Sequence, residues 1–215
     1  MTTAEGWTAA VRDRLAPGRL LPLGAAAEGA WITERAVREV VGRAAAAVRG
    51  VVPGTLRIGP ADAPEEPESG ALRITASFGA VAGRALPELA GELRSALLTT
   101  AEDGLGLVVA AVDLRVTDLL DAAPPEPDEG AAPPPGLTSP ATDDPVALAA
   151  LGVAGVAGVT DALGPPVRRG SDGVRVELAV TAGARPLDVA RAVRTAVTAV
   201  APEAAAVTVV VSELR

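Results

Sequence analysis

Apolar and polar positions along the chain change period at regular intervals. From Ile32 to Val51, "ITERAVREVVGRAAAAVRGV" carries apolar residues at helical spacing and predicts a helix over 33–49. Residues 54–59 and 71–79 follow as strands, the second ("GALRITASF") alternating as a strand with one buried face does. Leu86, Leu89, Leu93 and Leu97 then form one stripe, predicting a helix over 86–101, and the nearly continuous apolar run through "VDLRVTDL" predicts a strand over 107–118. At Asp144-Pro145, a good N-cap followed by a favoured first-turn residue, a second series begins. It reads helix 145–160, short strand 166–169, strand 173–181, helix 186–200 and strand 205–214.

The two series echo each other. "VDLRVTDL" (112–119) matches "VTVVVSEL" (207–214) by residue type, Val116 with Val211, Thr117 with Ser212 and Asp118 with Glu213. Upstream, "LPELAGELRSAL" matches "PLDVARAVRTAV", with Arg94 opposite Arg194, and "VRGV" (48–51) is set against "VAGV" (156–159). Four blocks in one order predict an α+β fold made of two tandem αββαβ repeats. In each, the middle strands make a hairpin and a crossover helix returns the last strand parallel to its neighbour. The closing strands, apolar almost throughout, are expected at the centre of their sheets. A sheet of about three strands is small, so the halves are expected to pack about a pseudo-twofold. Between them lies "DAAPPEPDEGAAPPPGLTSPATDD", a Pro-rich acidic linker with nothing to bury. The expected domains are an N-terminal arm 1–29, repeat 30–120, linker 121–144 and repeat 145–215.

Composition narrows the chemistry. There is no His, Cys, Tyr or Lys, and all 19 basic residues are Arg, so the near-neutral general base, the thiolate and the Schiff-base amine are all missing. With abundant Ala, Gly and Pro, this is what a GC-rich genome writes. Catalysis is not expected, no cofactor or metal is expected, and the formal net charge of −8 opposes nucleic acid and anionic lipid. The longest apolar stretch, Val146–Val159, falls short of the about 20 residues a bilayer needs, and no secretion signal opens the chain. A cytoplasmic protein is expected.

Several motifs have plain readings. Gly170 and Gly173 in "RRGSDG" share a spacing with RNA-clamping loops, but the flanking strands make a hairpin turn the simpler account. Gly152, Gly155 and Gly158 lack the pattern of a phosphate loop and fit a weak helix. Asp62, Glu65, Glu66 and Glu68, spaced irregularly among prolines, fit a solvated loop rather than a cation site. The arm is more suggestive: Trp7, Val11 and Leu15 line one side of an amphipathic turn, and Leu20, Leu21 and Leu23 follow. These six residues either cover the domain's own core or form an exposed docking segment for a partner. Trp31 is expected to anchor the core.

The first half resembles the alkaline shock protein family, bacterial proteins of the envelope stress response. The resemblance lies in "ITERAVREVVGRAAAAVRGV", with Ile32, Val37, Val41, the alanines 44–47 and the Gly50-Val51 pair, then in "LRITASFG", "LPELAGELRSAL" and "GLVVAAVDLRVTDL". It spans residues 30–120, and the second half keeps Gly158-Val159, the later helix and the last strand. It implies a non-enzymatic cytoplasmic protein, in some members held at the inner membrane face by a membrane-anchored protein partner; beside that, self-association is the other expected contact. Family members usually have one copy, so the duplication is a departure. The rival expectation is a small-molecule or nucleic-acid binding module, with Arg168 and Arg169 as contacts in a groove between the repeats.

Overall fold

A computed structural model describes residues 18–61, 70–122, 141–171 and 173–215. In chain order its elements are β1 (Leu20–Pro22), β2 (Ala30–Thr33), α1 (Glu34–Ala46), β3 (Val51–Pro60), β4 (Leu72–Val81), α2 (Leu86–Thr99), β5 (Val109–Leu120), α3 (Pro145–Leu151), β6 (Val156–Val159), β7 (Val167–Gly170), β8 (Gly173–Val180), α4 (Pro186–Val200) and β9 (Val207–Leu214). The fold is α+β with two mixed sheets. The chain divides into two compact units, Met1–Ala36 with Ser139–Arg215, and Val37–Thr138.

In the unit Val37–Thr138 the sheet has three strands in the order β3-β4-β5. β3 and β4 are antiparallel, and α2 carries the chain over so that β5 lies parallel to β4. The leucine stripe decides which face of α2 is covered: Leu89, Leu93 and Leu97 are buried, as are Ile74, Ala76 and Phe78 of β4. The apolar pattern outlasts the α-helix. Ala101 and Leu105 are also buried, and a π-helical turn, Thr100–Leu105, carries them before Gly106 ends it at φ 88°.

The other unit holds a six-stranded sheet, in the order β1-β2-β9-β8-β6 with β7 also paired to β8. Here β8 and β9 are parallel, linked over α4, whose Val189, Val193 and Val197 are buried. β2 lies parallel on the far side of β9, Trp31 beside Val210, and β1 is antiparallel to β2. Residues 18–36 thus belong to the unit of the later half, with β1 and β2 in its sheet, whereas the sequence pattern groups 30–36 with residues 37–120. They are tied in twice: Leu23 and Ile32 are fully buried, and Arg191 of α4 engages the Glu28 carboxylate while Arg194 donates to the Glu28 carbonyl at 2.7 Å. Trp31 is half-buried on β2 rather than fully enclosed.

Two further expectations change. The helix expected over 145–160 stops at Leu151, and Val156–Val159 is a strand paired with β8. Glycine weakens a helix, whereas pairing with β8 satisfies this backbone and buries Val159. The counterpart of Gly50 also shifts by three residues. The amide of Val81 donates to the Gly50 carbonyl at 2.9 Å, and that of Thr181 donates to the Gly155 carbonyl at 2.8 Å. Both glycines have positive φ, 87° and 89°. "GVAGVAG" repeats every three residues and so offers three registers; the backbone hydrogen bonds select the one at Gly155, not Gly158.

Candidate interaction site

The closing strands β5 and β9 have similar apolar patterns and different surroundings. β9 lies between β8 and β2, and Val207, Val209, Val210 and Val211 are all buried. β5 is an edge: β4 takes one side, and the other pairs with no strand among the described residues. The expectation of a central strand therefore holds for β9 and fails for β5. The difference lies outside the strands, in whether a third strand covers the far side.

Register shows what this leaves open. On β4, Leu72, Ile74, Ala76, Phe78 and Ala80 are all buried, and their partners on β5 are Val109, Val112, Leu114, Val116 and Leu119. Paired neighbours share a face of a sheet, so those five β5 residues form one apolar row on the covered face. The register slips at Ala110 and Thr117, and these slips keep Val109 and Leu119 in the row. None of the five is buried; Val116 is 37% and Leu119 74% exposed. On the opposite face stand Asp113 and Arg115. Asp113 takes a 2.6 Å hydrogen bond from Arg73, while Arg115 enters no ion pair among the described residues. Such an edge presents unpaired backbone donors and acceptors beside apolar side chains, which suits recognition of another strand.

A second polar assembly is closed. Thr33, Thr160, Glu177 and Ser212 are the buried polar residues of the described chain, each at most 5% exposed. Thr160 Oγ1 donates to Glu177 Oε1 at 3.0 Å, and the Leu163 amide donates to Glu177 Oε2 at 3.0 Å. The hydroxyls of Thr160 and Ser212 lie 2.5 Å apart, and Thr33 Oγ1 donates to the Ser212 carbonyl at 3.0 Å. Burial pushes the Glu177 carboxyl up, against the pull of the Leu163 amide and the Thr160 and Ser212 hydroxyls. With Glu177 ionised, the protons point along Ser212 to Thr160 to Glu177. With Glu177 protonated the chain can reverse and end on the Leu178 carbonyl, 3.4 Å from Ser212 Oγ. A carboxylate beside two hydroxyls has catalytic components, but these side chains fill the interior and leave a substrate no access. Their work is to stitch β2, β8 and β9 to the Thr160–Pro166 loop.

The arginine hairpin divides its charges. Arg169 grips Asp144 with two hydrogen bonds of 2.6 and 2.9 Å, which hold Asp144 in place as it caps α3 through the Val146 amide at 2.9 Å. Arg168 instead lines a shallow hollow of 180 Å³ with Gly170, Gly173, Val174, Arg175 and Thr208. The flanking strands β7 and β8 pair antiparallel through Gly170 and Gly173, so the G-x-x-G spacing forms a turn. Among the described residues no cluster of acidic side chains could hold a metal ion. Asp62, Glu65, Glu66 and Glu68 lie outside the described residues.

Of the arm residues singled out in the sequence, Trp7, Val11 and Leu15 also lie outside the described residues. Leu21 and Leu23 are buried in the sheet, at 2% and 0% exposure, and Leu20 is exposed at 39%. The β5 edge was missed because its apolar run reads the same as that of a central strand. A signal was available in Asp113, Arg115 and Asp118, which put three charges into β5 where β9 has only Glu213. The chain matches no protein-family model, and no curated protein and no solved structure matches it.

Proposed function

We propose that this is a non-enzymatic interaction or scaffold protein that makes its protein contact through the open edge of β5. The observation that carries this reading is the half-exposed apolar row from Val109 to Leu119 along a strand whose outer edge pairs with no strand among the described residues. The resemblance of residues 30–120 to envelope stress proteins supports placing the contact at the cytoplasmic membrane face, through a protein partner. Among the described residues no helix is long and apolar enough to cross a membrane, so in this reading attachment comes from the partner. The shared hydrogen bonds at Gly50 and Gly155 support descent of the two units from one duplicated αββαβ repeat. In that case one copy keeps its edge covered by β2 and the other presents it.

A photoreactive residue in place of Asp118, introduced in the native cells, tests the reading. We expect abundant protein adducts there, enriched in the membrane fraction, and few from the same residue in place of Leu148, which is 51% exposed on α3 of the other unit. Equal, sparse labelling at both positions overturns it. The small-molecule and nucleic-acid alternative has a narrower basis, the Arg168 and Arg175 hollow, and would show as binding that decays steeply with salt.

A further inference from the structure

The open edge of β5 reads the same from either end. In its apolar row, Leu114 is the midpoint: Val112 and Val116 stand two residues to either side, and Val109 and Leu119 five. On the other face Asp113 and Arg115 flank the same midpoint with opposite charges. A strand meant only to repel neighbours needs charge of one sign; this one carries a pair complementary to itself.

We propose that β5 pairs antiparallel with β5 of a second copy of this chain, about a twofold axis at Leu114. This deepens the reading of β5 as an interaction edge and rests on it. In this register Leu114 meets Leu114 of the second copy, Val112 meets Val116, and Val109 meets Leu119, so every apolar residue of the row gains an apolar partner. On the opposite face Arg115 meets Asp113 of the second copy, twice by symmetry. Arg73 engages Asp113 through Oδ2, and Oδ1 remains for the incoming guanidinium. The two three-stranded sheets become one, and the outward backbone groups of both edges are satisfied. Within the chain, β2 is already committed to β9, so it does not compete for this edge.

The chain has no cysteine, so single thiols report register cleanly. We expect Leu114→Cys to crosslink to itself with a short bismaleimide. Val109→Cys and Leu119→Cys should crosslink when mixed, and neither alone. In sedimentation equilibrium the native chain should dimerise. Arg115→Asp sets carboxylates opposite each other and should weaken the dimer on the order of tenfold, and adding Asp113→Arg should restore it. A native chain that stays monomeric at every concentration overturns the proposal, as does Leu119→Cys crosslinking to itself as readily as Leu114→Cys. If the chain is monomeric while a photoreactive residue in place of Asp118 captures a different protein in cells, self-pairing fails and the interaction reading stands. If neither contact forms, both fail.

Discussion

Thr117 and Ser212 hold the same place in their two sheets. Each is the extra residue where the closing strand slips against its parallel neighbour, and each sets its hydroxyl against a carbonyl there, that of Phe78 at 3.3 Å and that of Leu178 at 3.4 Å. The slips follow Phe78 and Leu178, and beyond them the Ala82 and Ala182 amides donate to the carbonyls of Leu120 and Arg215. Their surroundings differ: Ser212 is 5% exposed and tied to Thr160, whereas Thr117 is exposed. Ser212→Ala should therefore cost roughly 1–3 kcal/mol, because the Thr160 hydroxyl loses a buried partner, and Thr117→Ala less than about 0.5 kcal/mol. Urea unfolding of the two variants measures the contrast.

Glu177 makes stability fall as pH rises. Its carboxyl sits above the ordinary value of 4.5 because burial disfavours the charge. Between 4.5 and the raised value the native state keeps a proton that the unfolded chain has released, so the fold weakens with pH across that interval. Glu177→Gln should flatten this slope. Denaturation midpoints from acid to neutral pH test it, and an unchanged slope would reject burial as its source.

Asp144 works in the opposite sense. The hydrogen bond from Arg169, then the amides of Val146 and Ala147, hold its carboxyl below the usual 3.8. Its contribution is fully present above 3.8 and is lost as pH falls through the lower folded value. Asp144→Asn should keep the cap and lose this acid-side dependence. Asp144→Ala should lose both the cap and the ion pair and cost about 1 kcal/mol even at neutral pH.

Two nearby glycines should respond in opposite ways to alanine. Gly155 has φ +89°, and a Cβ there would stand 2.7 Å from Val189 Cγ2. Gly155→Ala should destabilise by roughly 1–3 kcal/mol. Gly152 has right-handed φ of −73°, and the nearest atom to an added Cβ is 3.5 Å away. Gly152→Ala should be neutral or add about 0.4–1 kcal/mol. Thermal melts of both separate strained backbone from mere flexibility.

The leucines of the arm should separate by burial. Leu23→Ala should cost about 2–5 kcal/mol, since Leu23 is fully buried, and Leu20→Ala, 39% exposed, far less. Equal, small effects in calorimetry would remove residues 18–33 from the folded core.

The fold class, the crossover helices α2 and α4 and the antiparallel-then-parallel strand order all follow from periodicity. A stripe such as Leu89, Leu93 and Leu97 has one face to bury, and a strand beside it supplies the place. The N-cap at Asp144 was legible for the same reason, being a local hydrogen bond written in adjacent residues. Three things were not local. β2 joins β9 through a pairing between distant parts of the chain, and four residues, "AWIT", carry no pattern that says which strand they will meet. "GVAGVAG" is periodic, so only the hydrogen bond from Thr181 to Gly155 selects its register. Edge and centre are positions in a sheet rather than properties of a strand. The sequence determined that β5 and β9 would both be apolar strands closing a crossover. The tertiary structure decided that β9 is covered on both sides while β5 keeps one side open among the described residues, because there a third strand, β2, lies beside β9 and none beside β5.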